Sequence, residues 1–292
     1  MEIGVWDVAA VAIKTITYAA TLSAAGGVAF LVYNGRRLPS ERSDACRRWV
    51  EWCVGVALLA SLARIGILSG SMSNEVASVV DWSMVRMVIE AGEERATGLR
   101  LVGLLALACS LMLRRRLVWL AVGGAIAAAT SFAWIGHAWS VSKDGGVVVL
   151  LSLHLACVAF WLGALVPLLI ASKDDDVPRI AAIVHSFGLV AAYVVAVLAA
   201  AGVLLLVVFL SAPSELWTTE YGRSVSIKLG AAACLLGVAA FNKLRLTPRL
   251  RAGDHVAVAA LRRSIRVEIA IGLFILLTTA FFTTVVGPVS LE

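Results

Sequence analysis

The sequence predicts an all-α polytopic membrane protein: one domain, a helical bundle of about eight transmembrane helices, with both ends on the outer side. Three observations predict it. The first is composition. Hydrophobic residues make up 61% and charged residues 15% of 292, and mean hydropathy is +0.93. Soluble domains run at about 45–50% apolar and about 25% charged, so this chain lacks the polar surface to cover a body in water. The second is recurrence. A helix crossing the hydrocarbon core needs about 20 apolar residues at about 1.5 Å each, and the sequence supplies that length repeatedly with short connections between. The third is the alternation of basic residues from one connection to the next.

Apolar runs and the charges that interrupt them place the expected spans at residues 8–33, 49–69, 97–113, 117–137, 147–171, 180–210, 224–246 and 256–286. The first run is too long for a signal-peptide core and lacks a small-residue cleavage pattern after it, so it is expected to remain as a span. Turns are marked by Asn34-Gly35, Leu38-Pro39, Gly145-Gly146, Ala212-Pro213 and Thr247-Pro248. One set of connections carries Arg36, Arg37, Arg42, Arg47 and Arg48, then Arg114 to Arg116, then Lys173 and Arg179, then seven more from Lys243 to Arg266. The alternate set carries Arg86, Arg95, Lys143 and Arg223. By the positive-inside rule the first set is cytoplasmic, which sends both termini outside. The net charge of +6 is mostly this topogenic excess and gives no reason to invoke nucleic acid.

The outer connection over 70–96 differs in kind. From Glu75 to Glu90 polar and apolar residues alternate at helical spacing, as in a helix lying on the outer leaflet. Met84 and Met87, three apart, share a face of that helix, with Met72 just before it.

Four histidines are available for chemistry. His137 ends the fourth span near the outer surface, and His154 lies on the fifth. An ionisable or ligating group among apolar residues is a functional candidate, because it costs free energy to place there. His154, Cys157 and Trp161 fall at i, i+3 and i+7, one stripe of one helix. Imidazole with thiolate suits soft or borderline metals, copper above all, and thioether favours Cu(I). The alternative is a neutral imidazole bonded to a neighbouring helix, with Cys157 as filler. His154 is about eight residues into its span, about 12 Å deep, so His137 and His154 are expected as successive stations. His185, near the cytoplasmic end of the sixth span, is either an exit station or a packing residue, and His255 is a loop histidine.

Charges within or near spans are Lys14, Arg64, Arg100, Lys228 and Glu268. Arg100 is expected to snorkel to an interface. Lys228 lies toward the outer end of its span and Glu268 toward the inner end of the next, so direct pairing is not expected. Glu268 either neutralises a cation path or anchors an internal hydrogen bond. The five cysteines are dispersed, with no CxxC pair, and read neither as a disulfide framework nor as a zinc site. Gly26-Gly27 and Gly123-Gly124 are packing residues of close helix contacts. A phosphate loop, an HExxH and a serine elbow are all lacking, so no enzyme is expected.

The segment Gly136-His137-Ala138, a short outer loop, Leu153-His154-Leu155-Ala156 and Phe160-Trp161-Leu162-Gly163-Ala164-Leu165 resembles the copper resistance protein D (CopD) family. So does the later series Tyr221-Gly222, Lys228, Asn242-Lys243-Leu244, Pro248, Leu261 to Glu268 and Pro288. The resemblance covers about 137–288; the first half matches only in hydropathy and around Gly26-Gly27. It implies a bacterial inner-membrane protein that moves copper, with a CopC-like periplasmic copper-binding protein as partner. His137, His154, Trp161, Lys228 and Glu268 stand at positions matching the motif. Val184-His185-Ser186-Phe187 departs from the family's arginine-phenylalanine-serine run, which leaves His185 individual to this chain. Asn242-Lys243 replaces asparagine-arginine and keeps the charge. The expected route takes Cu(I) from Met72, Met84 and Met87 to His137, then to His154 with Cys157. A b-type haem held by His137 and His154 is a second reading, since two facing imidazoles can ligate haem iron. A membrane assembly or docking factor is a third.

Overall fold

The computed structural model describes residues 4–90, 94–113, 118–134, 145–210 and 212–286, and all the regular structure among them is helical. Helices α1 (Val5–Asn34) and α2 (Ser40–Ser73) form the first hairpin. A short α3 (Trp82–Val88) precedes α4 (Glu94–Met112) and α5 (Val118–Thr130). Then come α6 (Gly146–Gly163), α7 (Leu165–Ala171) and α8 (Val177–Phe209). The last group is α9 (Glu215–Thr218), α10 (Glu220–Phe241), α11 (Thr247–Arg251) and α12 (His255–Phe281).

Among the described residues, six helical stretches have the length and apolarity of membrane spans: Val5–Arg37, Ser40–Ser73, Gly146–Ala171, Val177–Phe209, Glu220–Arg251 and His255–Val285. The shortest has 26 residues, about 39 Å at 1.5 Å per residue, more than the roughly 30 Å hydrocarbon core. Ala96–Met112 and Val118–Trp134 are apolar but shorter, and they occupy the expected third and fourth spans. The molecule is thus a multi-pass helical membrane bundle.

Two interruptions have local causes. The fifth expected span breaks between α6 and α7 because Pro167 cannot donate to the carbonyl four residues back, at Gly163. The seventh passes through a π turn at Asn242–Leu246 just before Pro248; the Thr247 hydroxyl donates to the Asn242 carbonyl at 3.0 Å and satisfies it.

Helix α1 runs through the middle, packed against α2, α5, α6 and α12. Its closest approach is to α6, where Gly26 lies on Gly163; α4 and α5 cross in the same way at Gly103 and Gly124. Hydroxyls along the spans bond back to their own helix. Thr17 donates to the Ile13 carbonyl at 2.7 Å and Ser61 to Ala57 at 2.7 Å, so neither is left unsatisfied in lipid.

The basic connections gather at one end. Arg42 donates to the Lys173 carbonyl (3.0 Å), Arg262 to Ser172 (2.9 Å), and Arg179 pairs with Asp174 and Asp176. Asp254 caps α12 there by accepting from the Val256 and Ala257 amides. Its bond from Arg249 holds its carboxyl below the usual aspartate range. At the opposite end the expected leaflet helix is split into a 3-10 turn (Val76–Val79) and α3, both folded back on α2. Asp81 starts α3 by accepting from the Ser83 amide at 2.8 Å. Val76, Val80 and Trp82 remain more than 70% exposed, as an interfacial segment requires.

Arg100 overturns one expectation. It does not snorkel: it is 0% exposed, its Nε donates to Ser131 Oγ at 3.1 Å, and its guanidinium lies 4.1 Å over the Phe132 ring. The short α4–α5 hairpin brings both partners within reach, and pairing is the cheaper solution for a charge inside a bundle.

Candidate functional site

Of the expected ligands, His137 lies outside the described residues. His154 is eight residues from the start of α6, about 12 Å in. Its ring faces α8 at Gly202, one of two positions where that helix offers no side chain: a Cβ there would meet Cε1 at 3.7 Å and Nδ1 at 3.8 Å. His154 Nδ1 is buried and has no hydrogen-bond partner among the described residues, with the Leu198 backbone within reach of the ring. A buried polar atom in that state calls for an explanation, and a ligand lone pair turned toward a small-residue gap is one.

Cys157 is one turn along α6 from His154, a buried free thiol. Residues three apart on a helix have Cβ atoms about 5–6 Å apart, so nitrogen and sulfur donors of this pair share one face. Trp161 is buried in the larger apolar core with Leu165, Ile180 and Phe187. Among the described residues no three His, Cys, Asp or Glu side chains come together. Any copper held here would take a small donor set, completed by thioether or by residues outside the described ones.

Lys228 comes close enough to His154 for their charges to interact. Its ammonium also lies 5.6 Å from the centre of the Phe282 ring, which in turn meets Tyr221 edge to face at 5.7 Å. The proximity was legible in the chain: Lys228 is eight residues into α10 as His154 is into α6, and both helices start at the same end. Glu268 does not pair with Lys228. It is buried on α12 and accepts a hydrogen bond from the Asn242 side-chain amide.

The methionines stay at the outer-loop end. Met72 sits in the last turn of α2 and Met84 and Met87 on α3, which packs on α2; Met72 and Met87 are exposed and Met84 half-buried. His185 is exposed at the basic end of α8, well away from His154 along the helix.

Two features escaped the sequence reading. Lys14 and Arg64 line one cavity of about 190 Å³ between α1, α2 and the π turn Phe282–Val286, where Lys14 donates to the Thr283 carbonyl at 3.1 Å. On the basic side Ser186 donates to Asn34 Oδ1 at 3.0 Å, tying α8 to the end of α1. Neither leaves a signature in a single sequence, because both join residues more than 100 positions apart.

Neither a curated protein nor a solved structure matches the chain. Two family models do. The copper resistance protein D-like N-terminal domain matches residues 5–143, and copper resistance protein D matches residues 181–282. The first half, expected to match only in hydropathy, therefore has a family match of its own. His154, Cys157 and Trp161 lie in the stretch between the two matches, whereas Lys228 and Glu268 lie inside the second. With most of its length matched, the chain belongs to the copper resistance protein D family, and so to the membrane proteins of copper resistance and transport.

Proposed function

We propose that the protein carries copper across the bacterial inner membrane as Cu(I), for uptake or homeostasis, with His154 and Cys157 as an intramembrane station. The observation that carries this reading is the buried Nδ1 of His154 over Gly202, without a partner among the described residues and one turn from a buried thiol. Imidazole and sulfur are the donors that soft Cu(I) prefers. Met72, Met84 and Met87 present thioether at the entry side, His137 follows, and His154 receives the ion within the bundle. Weak, sequential ligation suits a permeating ion, which must bind well enough to enter and loosely enough to leave. The Lys228 ammonium favours release, since a like charge near the site raises the energy of bound Cu⁺. Eight spans with both termini periplasmic complete the proposal, the shorter α4 and α5 making the third and fourth. A CopC-like periplasmic protein is the fitting donor for the outer methionines.

The test is the copper content of detergent-purified protein, wild type beside His137→Ala and His154→Ala. Stoichiometry is expected to fall in at least one variant. Unchanged binding in both overturns the reading. Gly202→Ala adds a methyl at ordinary contact distance from the ring, so it is expected to fold normally while weakening copper binding.

A further inference from the structure

The copper route makes no use of a second cavity, at the basic end. It has a volume of about 180 Å³ and opens between α8 and the α10–α11 junction. His185, Lys243 and Arg251 line it, together with Leu189 and Leu244. Three things set it apart from a generally basic surface. First, its cations are not neutralised: neighbouring Arg249 pairs with Asp254 at 2.7 Å, whereas among the described residues no carboxylate pairs with Lys243 or Arg251. Second, its walls are apolar and open, with Leu244 70% and Leu189 48% exposed. Third, its level is that of the headgroups. Helix α8 has 33 residues, about 50 Å, which exceeds the hydrocarbon thickness by about 20 Å. An excess of that size leaves room for headgroup-level turns at the end that holds the cavity, where Lys243, Arg245, Arg263 and Arg266 are all exposed. Lys243 and Leu244 both lie within the π turn and face the cavity with Leu189 of α8.

We infer that this cavity binds the phosphodiester headgroup of an anionic phospholipid, its acyl chains lying along Leu189 and Leu244. Charge complementarity picks the occupant: paired cations recognise phosphate, and the apolar walls select a phosphate that brings hydrocarbon with it. A zwitterionic lipid brings its own cation to the site and is disfavoured. Bound there, the lipid bridges α8 to α10–α11.

The experiment is native mass spectrometry of the full-length protein titrated with palmitoyl-oleoyl phosphatidylglycerol, beside phosphatidylcholine of the same chains. Lys243→Gln/Arg251→Gln is compared with Arg36→Gln/Arg37→Gln, which removes the same charge at the same end but outside the cavity. Phosphatidylglycerol binding is expected to weaken about thirtyfold in the first variant, from about 1 kcal/mol for each of two cations near a lipid surface, and to stay near wild type in the second. Gly188→Phe supplies a charge-neutral check. A Cβ there meets nothing within 4 Å and Gly188 lines the cavity, so a side chain at this position occupies cavity space and is expected to reduce lipid binding as well. Glycerol 3-phosphate is expected not to displace the lipid. Equal losses in both double variants, equal binding of phosphatidylcholine, full retention in Gly188→Phe, or displacement by glycerol 3-phosphate would each overturn the assignment.

Discussion

At the scale of single residues, the polar side chains inside the bundle divide into those that are satisfied and those that are not. Glu268 belongs to the first kind. It is 4% exposed and accepts from the Asn242 amide, which fixes α12 against the end of α10. Removing the donor would strand a buried carboxyl, and a buried group left unsatisfied costs about 1–3 kcal/mol. Asn242→Leu is therefore expected to lower thermal stability in detergent by that order. Glu268→Gln keeps a carbonyl oxygen in the same place and is expected to leave stability and cellular copper uptake near wild type. Uptake lost at unchanged stability would make the carboxylate part of the ion path instead. His154 is of the second kind: its Nδ1 is buried and has no partner among the described residues. That contrast between two buried ionisable groups is why copper is assigned to the histidine.

At the scale of helices, close crossing decides more than apolar bulk, because lipid tails are as apolar as leucine and give helices little reason to associate. A Cβ at Gly26 would stand 1.9 Å from the Ala159 carbonyl oxygen, and one at Gly163 would stand 2.2 Å from that of Leu22. These are backbone atoms on both sides and cannot turn aside. Gly26→Ala and Gly163→Ala are each expected to destabilise the fold by at least about 1–3 kcal/mol, the range of overpacked cores, seen as a lower melting temperature in detergent. Gly188→Ala, with open space at its Cβ, serves as the tolerated control. The Gly26-Gly27 packing role was legible in the sequence; that its partner is Gly163, in the stretch that carries the family resemblance, was not. Periodicity reports which face is small and not which helix meets it. The same limit explains Arg100, whose partner Ser131 lies on the next helix. Lys228 beside His154 was within reach, since equal depth from the same end follows from residue counting alone.

At the scale of the whole molecule, the helical membrane bundle was legible because length and hydropathy each act over tens of residues and average out local exceptions. The structure adds that three of the four basic connections meet in space: Arg42 reaches Lys173 and Arg262 reaches Ser172, so the first, third and fourth form one surface. The methionine-bearing segment and the Lys14–Thr283 contact lie at the other end. Lys and Arg are retained on the cytoplasmic side, and the proposed orientation places this surface there. In a cysteine-free background, cysteines introduced at Gly4 and Ser83 are therefore expected to react with an impermeant maleimide in spheroplasts whose outer membrane has been removed. Cysteines at Arg37, Asp175 and Ala252 are expected to react only after the inner membrane is opened. The reverse pattern would invert the protein and put the methionines on the cytoplasmic side. Labelling of Arg37 and Asp175 from opposite sides would refute an even number of crossings between them, and with it α4 and α5 as the third and fourth spans.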